Sequence, residues 1–245
     1  MFSEIFDIAL LVGMGVAFVA SSITAYAGFG GVLIMVPLFA LLLGPVQAIA
    51  LTGLCGAVAL MHLLPKLVRI ARWREIVPLF LGLAVATSVG TEFLISADPD
   101  FVRLCMGLFV VGAAIILILD LRYRGPRGAM PSLGVGLVTG SIMGGVGVPA
   151  GPVMVIYYLA APDAAPIQRA NIMFSVWLLQ MVMLTNLFAR NVVMGETVAS
   201  AVFIAPAAIL GGVCGHYLFR HIPLAWFKHF AHGLLVVIGV SMLAL

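Results

Sequence analysis

Two stretches of this chain have residue types that could hold a charged ligand without a charged side chain. They are Tyr26-Ala27-Gly28-Phe29-Gly30-Gly31 and Gly144-Gly145-Val146-Gly147-Val148-Pro149-Ala150-Gly151-Pro152. Each interrupts an apolar run and hands over to a second run too short to cross a bilayer. Lipid supplies no hydrogen bonds, so unwound backbone there must be buried in protein or line a polar cavity. Glycine followed by a fresh helix also leaves free N–H groups and the positive end of a helix dipole at the break, which suits an anion. Pro149 and Pro152 fit the first turn of such a helix, where a missing N–H costs nothing. Gly28, Gly30, Gly31, Gly147, Ala150 and Gly151 are therefore candidate substrate-binding positions, expected to face one another near the membrane midplane.

The remaining polar residues inside apolar runs are few. Ser22 and Ser141 lie at matching places before the two breaks and are candidate paired hydroxyl donors; the alternative is a bond from each to its own helix. Gln180 falls mid-run, where an amide must find partners, either a neighbouring helix or a ligand. Glu92 and His62 are candidate proton-coupling groups, and both sit close enough to a run's end to snorkel to the interface instead. No Lys or Arg falls in the middle of any run. Gly136, Gly140 and Gly144, like Gly211 and Gly215, recur every fourth position and read as close helix packing.

No Walker motif, Gly-x-Ser-x-Gly, His-Glu-x-x-His or pair of carboxylates at mid-depth is present, so neither ATP use nor a catalytic residue is indicated. Cys55, Cys105 and Cys214 lie singly in apolar runs, which disfavours redox shuttling and metal binding. No cofactor is expected.

The elements that position these residues follow from composition. The chain has 245 residues, 64% hydrophobic and 9% charged, with a mean hydropathy of +1.25. That is an all-α polytopic membrane protein, with the lipid bilayer as its solvent. The net charge of +3 is no argument for nucleic acid, because the basic residues lie in short loops between spans. Glu4 and Asp7, with no Lys or Arg, precede the first run, so it reads as part of the mature protein and not as a secretory signal.

Apolar runs divide the chain into ten segments, at 5–26, 32–43, 46–64, 76–95, 102–119, 133–145, 152–161, 167–189, 198–219 and 224–245. The third, fourth, fifth, eighth, ninth and tenth are long enough to span, while the second, sixth and seventh are too short or too broken. The same pattern occurs twice, with Ser22 matching Ser141, Gly28 matching Gly147, Pro45 matching Pro166 and Gln47 matching Gln168. This predicts a first repeat over 1–121, a linker over 122–130 and a second repeat over 131–245.

Five segments per copy is an odd number, so the second copy is expected upside down relative to the first. Loop charges agree. Lys66, Arg69, Arg72 and Arg74 follow the third segment, whereas its counterpart loop holds only Arg190 and Glu196. The basic loop and the linker, with Arg122, Arg124 and Arg127, are expected in the cytoplasm, and both termini outside. The short segments either cross fully or form re-entrant hairpins.

The glycine break in Gly28-Phe29-Gly30-Gly31 running to Pro37, the loop Arg69-Ile70-Ala71-Arg72-Trp73-Arg74, the Gly82/Gly90 spacing and the repeat together resemble the sulfite exporter (TauE/SafE) family over nearly the whole chain. The resemblance implies a small secondary permease of the bacterial inner (plasma) membrane. Such a permease moves a sulfur-containing oxyanion such as sulfite or an organosulfonate by alternating access, with export as the first expectation. Uptake of an organic sulfonate, a channel, and a membrane enzyme or assembly factor without transport are the alternatives. The partners implied are a small anionic substrate and a coupling proton or sodium ion, and a homodimer is compatible with the pattern.

Overall fold

In a computed structural model, residues 2–27, 29–119 and 123–218 are described; the tenth predicted segment, Gly28 and Arg122 lie outside them. The described residues form ten helices and no strand. These are α1 (Phe2–Ala27), α2 (Gly31–Leu43), α3 (Pro45–Met61), α4 (Leu64–Ile70), α5 (Trp73–Ser96), α6 (Pro99–Ile118), α7 (Ala129–Val146), α8 (Gly151–Leu159), α9 (Ala165–Ala189) and α10 (Gly195–Leu218). Local chemistry sets many of the boundaries. Gly30, Gly44 and Gly147 adopt φ values of 100°, 78° and 77° at helix ends, a region that glycine enters cheaply. The Asp98 carboxylate accepts the N–H groups of Asp100 and Phe101 and so starts α6. Among the described residues five helices are long and apolar enough to cross a membrane, and α3 with α4 would make a sixth.

Two expected boundaries are corrected. The third segment does not run straight to residue 64, because the chain bends by 75° after Met61 and α4 sets off in a new direction. The sixth segment is not short: α7 already begins at Ala129, within the expected linker, and its 18 residues pass as a span. Its added turn is held by the Ser132 N–H on the Gly128 carbonyl and by a Ser132–Tyr157 hydroxyl contact of 2.8 Å. By contrast, α2 with 13 residues and α8 with 9 are about 20 and 14 Å long at 1.5 Å per residue, and neither alone crosses a ~30 Å hydrocarbon core.

The most extensive pairings are α5 with α7 and α1 with α10. Both are made by glycines against backbone. Gly136, Gly140 and Gly144 lie against the carbonyls of Leu79, Leu83 and Thr87, and Gly211 and Gly215 against those of Phe18 and Ser22, so that a Cβ at any of them would overlap a carbonyl oxygen. In both pairs the residue numbers rise together, so the helices are parallel. Contacts give the other directions. Gly53 meets Leu184 while Gly56 meets Gln180, so α3 and α9 are antiparallel. Gln47 bonds Thr197 while Ala59 meets Gly212, so α3 and α10 are parallel. Trp73 stacks edge-on to Phe174 while Arg190 reaches Glu92, so α5 and α9 are parallel. Thus α1, α3 and α10 run one way and α5, α7 and α9 the other. The faces turned away from these contacts carry exposed Val85, Val89, Phe93, Leu108, Val202, Phe203 and Leu210, which is what a lipid-facing surface requires.

Candidate functional site

The two breaks meet. A Cβ on Gly151 would lie 3.6 Å from the Cβ of Phe29 and 4.0 Å from Val176, so the start of α8 touches the loop that precedes α2. From this meeting point α2 runs toward the start of α3 and α8 toward the start of α9. The two short helices therefore leave in opposite directions, with their N-termini together. Neither has a side-chain cap, at Gly30 for α2 or at Ala150 for α8. Pro152 has no N–H, and the Val153 N–H is taken by the Ala150 carbonyl at 3.1 Å, so the α8 end has few donors left to offer.

Beside the meeting point is a cavity of about 20 Å³ between α1, α2, α3, α9 and α10. Its polar lining is Ser21, Thr24, Gly31, Thr52, Gly56 and Gln180. Thr52 is fully buried and its hydroxyl has no hydrogen-bond partner among the described residues. Gln180 is 2% exposed. Gly56 makes the space for its amide, since a Cβ there would come within 2.5 Å of Gln180 Oε1. Thr24 donates to the Ala20 carbonyl at 3.1 Å. Arg169, from the second turn of α9, donates to the carbonyl of Ala25, another residue of the cavity wall. Its guanidinium thus reaches the backbone of the cavity wall from a helix end, without itself lining the cavity.

Unfilled hydrogen-bonding capacity in an apolar interior is costly, and hydroxyl, amide and backbone N–H groups together can take an oxyanion. The present size admits one water-sized molecule and no oxyanion. Val176 lines the cavity and lies 4.0 Å from a notional Cβ on Gly151, so it joins the cavity to the start of α8.

The other predicted residues fall as follows. Gly30 precedes α2 with Ile23 at 3.6 Å from a notional Cβ. Gly31 lines the cavity, but its lack of a side chain is already required by the Ala20 carbonyl oxygen and Thr24 Oγ1 of α1. Gly147 ends α7 and packs against Ile49 and Met106. Ser22 is at the α1–α10 seam, its hydroxyl 2.8 Å from the Phe18 carbonyl and 3.0 Å from that of Gly211. Ser141 is exposed on α7, so the structure does not bring the two serines together. It is the neighbouring Ser21 that lines the cavity. Glu92 has a side chain 71% exposed and pairs with Arg190 at 2.6 Å. His62 is exposed at the end of α3, near Gly212. Neither Glu92 nor His62 lines the cavity.

Thr52, Gly56 and Ser21 are site residues that sequence reasoning missed. The available signal was Thr52 one turn before Gly56 in an apolar run, a polar group and a gap on one face. Over residues 13–242, the chain matches the family model described as sulfite exporter TauE/SafE. No curated protein and no solved structure matches it.

Proposed function

Since the chain belongs to the sulfite exporter TauE/SafE family, and is a multi-pass helical membrane protein, we propose that it is a secondary transporter of a small sulfur-containing oxyanion. Sulfite or an organosulfonate is the substrate class, and export is the direction. The observation that carries this reading is the convergence of two uncapped helix N-termini beside a cavity holding the unpartnered Thr52 hydroxyl and the Gln180 amide. Each helix end contributes about 0.3–2 kcal/mol toward an anion, and each charge-assisted hydrogen bond about 1.5–3 kcal/mol. Several together offset the desolvation of one charge, which no single one does.

Alternating access is the mechanism in this reading, and the helix directions support it. In the first copy α1, α3 and α5 are the first, third and fourth segments; in the second copy α7, α9 and α10 are. Each runs opposite to its counterpart, and the cross-pairing of α1 with α10 and α5 with α7 repeats under that exchange. Two inverted copies packed in this way can rock about the shared cavity, which is how inverted-repeat transporters expose one site to either side. Lys66, Arg69, Arg72, Arg74, Arg124 and Arg127 lie toward one end of the bundle, with Arg190, Glu92, Asp98 and Asp100 toward the other. The basic end is the cytoplasmic one.

The test is a thermal-shift screen of purified protein against sulfite, sulfate, thiosulfate, sulfoacetate and taurine, followed by flux of the best binder in proteoliposomes. Saturable flux and exchange of a sulfur oxyanion are expected. Binding without flux, or flux that neither saturates nor exchanges, overturns the reading.

A further inference from the structure

We propose that the elbow formed by α4, with the cleft beside it, binds the phosphate-bearing headgroup of an anionic phospholipid. The helix leaves α3 at 75°, so with α3 crossing the bilayer α4 lies close to the membrane plane. Leu67 is buried and anchors it to the bundle, while Val68, Ile70 and Trp73 are exposed alongside exposed Lys66, Arg69 and Arg74. Apolar and cationic side chains on one outward surface are what a segment resting at the headgroup level presents. Trp73 is held in place by its indole N–H on the Val68 carbonyl at 3.1 Å and by edge contact with Phe174.

Next to this surface is a cleft of about 440 Å³ lined by Arg72, Trp73, Arg74, Glu75, Arg127 and Gly128. Two of its arginines are already committed, Arg72 to the buried carboxylate of Asp163 and Arg127 to Glu75 at 2.7 Å. Among the described residues Lys66, Arg69 and Arg74 have no ion pair, so three positive charges, Arg74 in the cleft and Lys66 and Arg69 on α4, are unneutralised. An anionic headgroup held by Arg74 neutralises the charge in the cleft, with Lys66 and Arg69 adding attraction from α4. A soluble anion would leave Val68, Ile70 and the Trp73 face in contact with water, whereas a phospholipid covers them with its acyl chains. The pairing of the two features selects the lipid.

Native mass spectrometry of the full chain, equilibrated with phosphatidylglycerol and phosphatidylcholine, tests this. Parent protein should retain phosphatidylglycerol in preference. Each basic residue near a membrane surface contributes about fivefold in affinity for anionic lipid, so the triple variant Lys66→Gln, Arg69→Gln, Arg74→Gln should reduce the preference by about a hundredfold. The three side chains are exposed and make no ion pair, so thermal midpoints in phosphatidylcholine should match and show an intact fold. Equal retention of the two lipids by the parent, or a preference unchanged in the triple variant, overturns the proposal. So does displacement of phosphatidylglycerol by millimolar sulfate or sulfite, which would assign the cleft to a soluble anion.

Discussion

Thr52→Val separates a ligand-binding hydroxyl from a structural one, because the two roles predict opposite effects on stability. The Thr52 side chain is fully buried and its hydroxyl has no hydrogen-bond partner among the described residues, so in the unliganded fold the protein returns none of its desolvation cost. Leaving such a group unmade costs about 1–3 kcal/mol. Valine keeps the β-branched shape and removes the penalty, so unfolding should shift upward by about 1–2 kcal/mol, or about 2–6 °C for a chain of this size. Anion affinity should move the other way. Loss of one hydrogen bond to a charged ligand costs about 1.5–3 kcal/mol, roughly a tenfold to hundredfold weaker Kd. Thr87 supplies the control. It too is fully buried with an unpartnered hydroxyl, but it does not line the cavity, so Thr87→Val should match the gain in stability and leave affinity unchanged. Thermal unfolding in detergent and titration calorimetry with the best-bound oxyanion measure both quantities on the same samples. A Thr52→Val protein that is more stable yet binds as tightly as the parent refutes the assignment, and so does an equal loss of affinity in both variants.

Gly56→Ala should fold, because the clashing atom is the end of the flexible Gln180 side chain, yet weaken anion binding at least tenfold by displacing that amide; titration of the folded variant decides it. Gly151→Ala, with 3.6 Å to Phe29, should change unfolding by less than about 1 kcal/mol, whereas Gly136→Ala forces α7 off the Leu79 carbonyl and should cost about 1–3 kcal/mol or more in the same denaturation assay. Glu92→Gln breaks an exposed ion pair with Arg190 and should cost at most about 1 kcal/mol, with flux driven by a pH gradient preserved; complete loss of driven flux in folded protein would make Glu92 the coupling group. Cysteines at Arg72 and Arg190, in a background without native cysteines, should label from opposite sides of the membrane, and labelling from one side would remove the inverted arrangement.

Helix positions were legible because spans in lipid are written as length, with glycine and proline as punctuation; the break at Gly30-Gly31 and the fresh start at Gly151 fall where the glycines put them. The elbow after Met61 was not, since Leu64–Ile70 is seven residues of mixed apolar and basic character that reads equally as a loop. The glutamines matched between the two expected copies do different work in the fold. Gln47 holds the α9–α10 loop through Val192, Met194 and Thr197, whereas Gln168 holds the α8–α9 loop through Ala161. Rotation about a helix axis was the hidden quantity. In helices apolar on every side there is no polar stripe to show which face turns inward. Neighbouring residues lie 100° apart on a helix, and this is why Ser22 was singled out while Ser21 lines the cavity. Gln180 escaped the ambiguity because an amide mid-span must face protein. Arg169 escaped notice for the opposite reason, as its backbone lies near a helix end and only its length brings the guanidinium to Ala25.

A sulfur oxyanion bound in the cavity where the two short helices begin can be located directly. Selenite, the heavier congener of sulfite, can report its own position through the anomalous scattering of selenium in co-crystals with this protein. A selenium peak is expected within hydrogen-bonding reach, through its oxygens, of Thr52 Oγ1, the Gln180 amide and the first N–H groups of α2, with the cavity wider than the present ~20 Å³. Crystals of binding-competent protein with the selenium peak elsewhere, and the Thr52–Gln180 cavity unchanged, would contradict it.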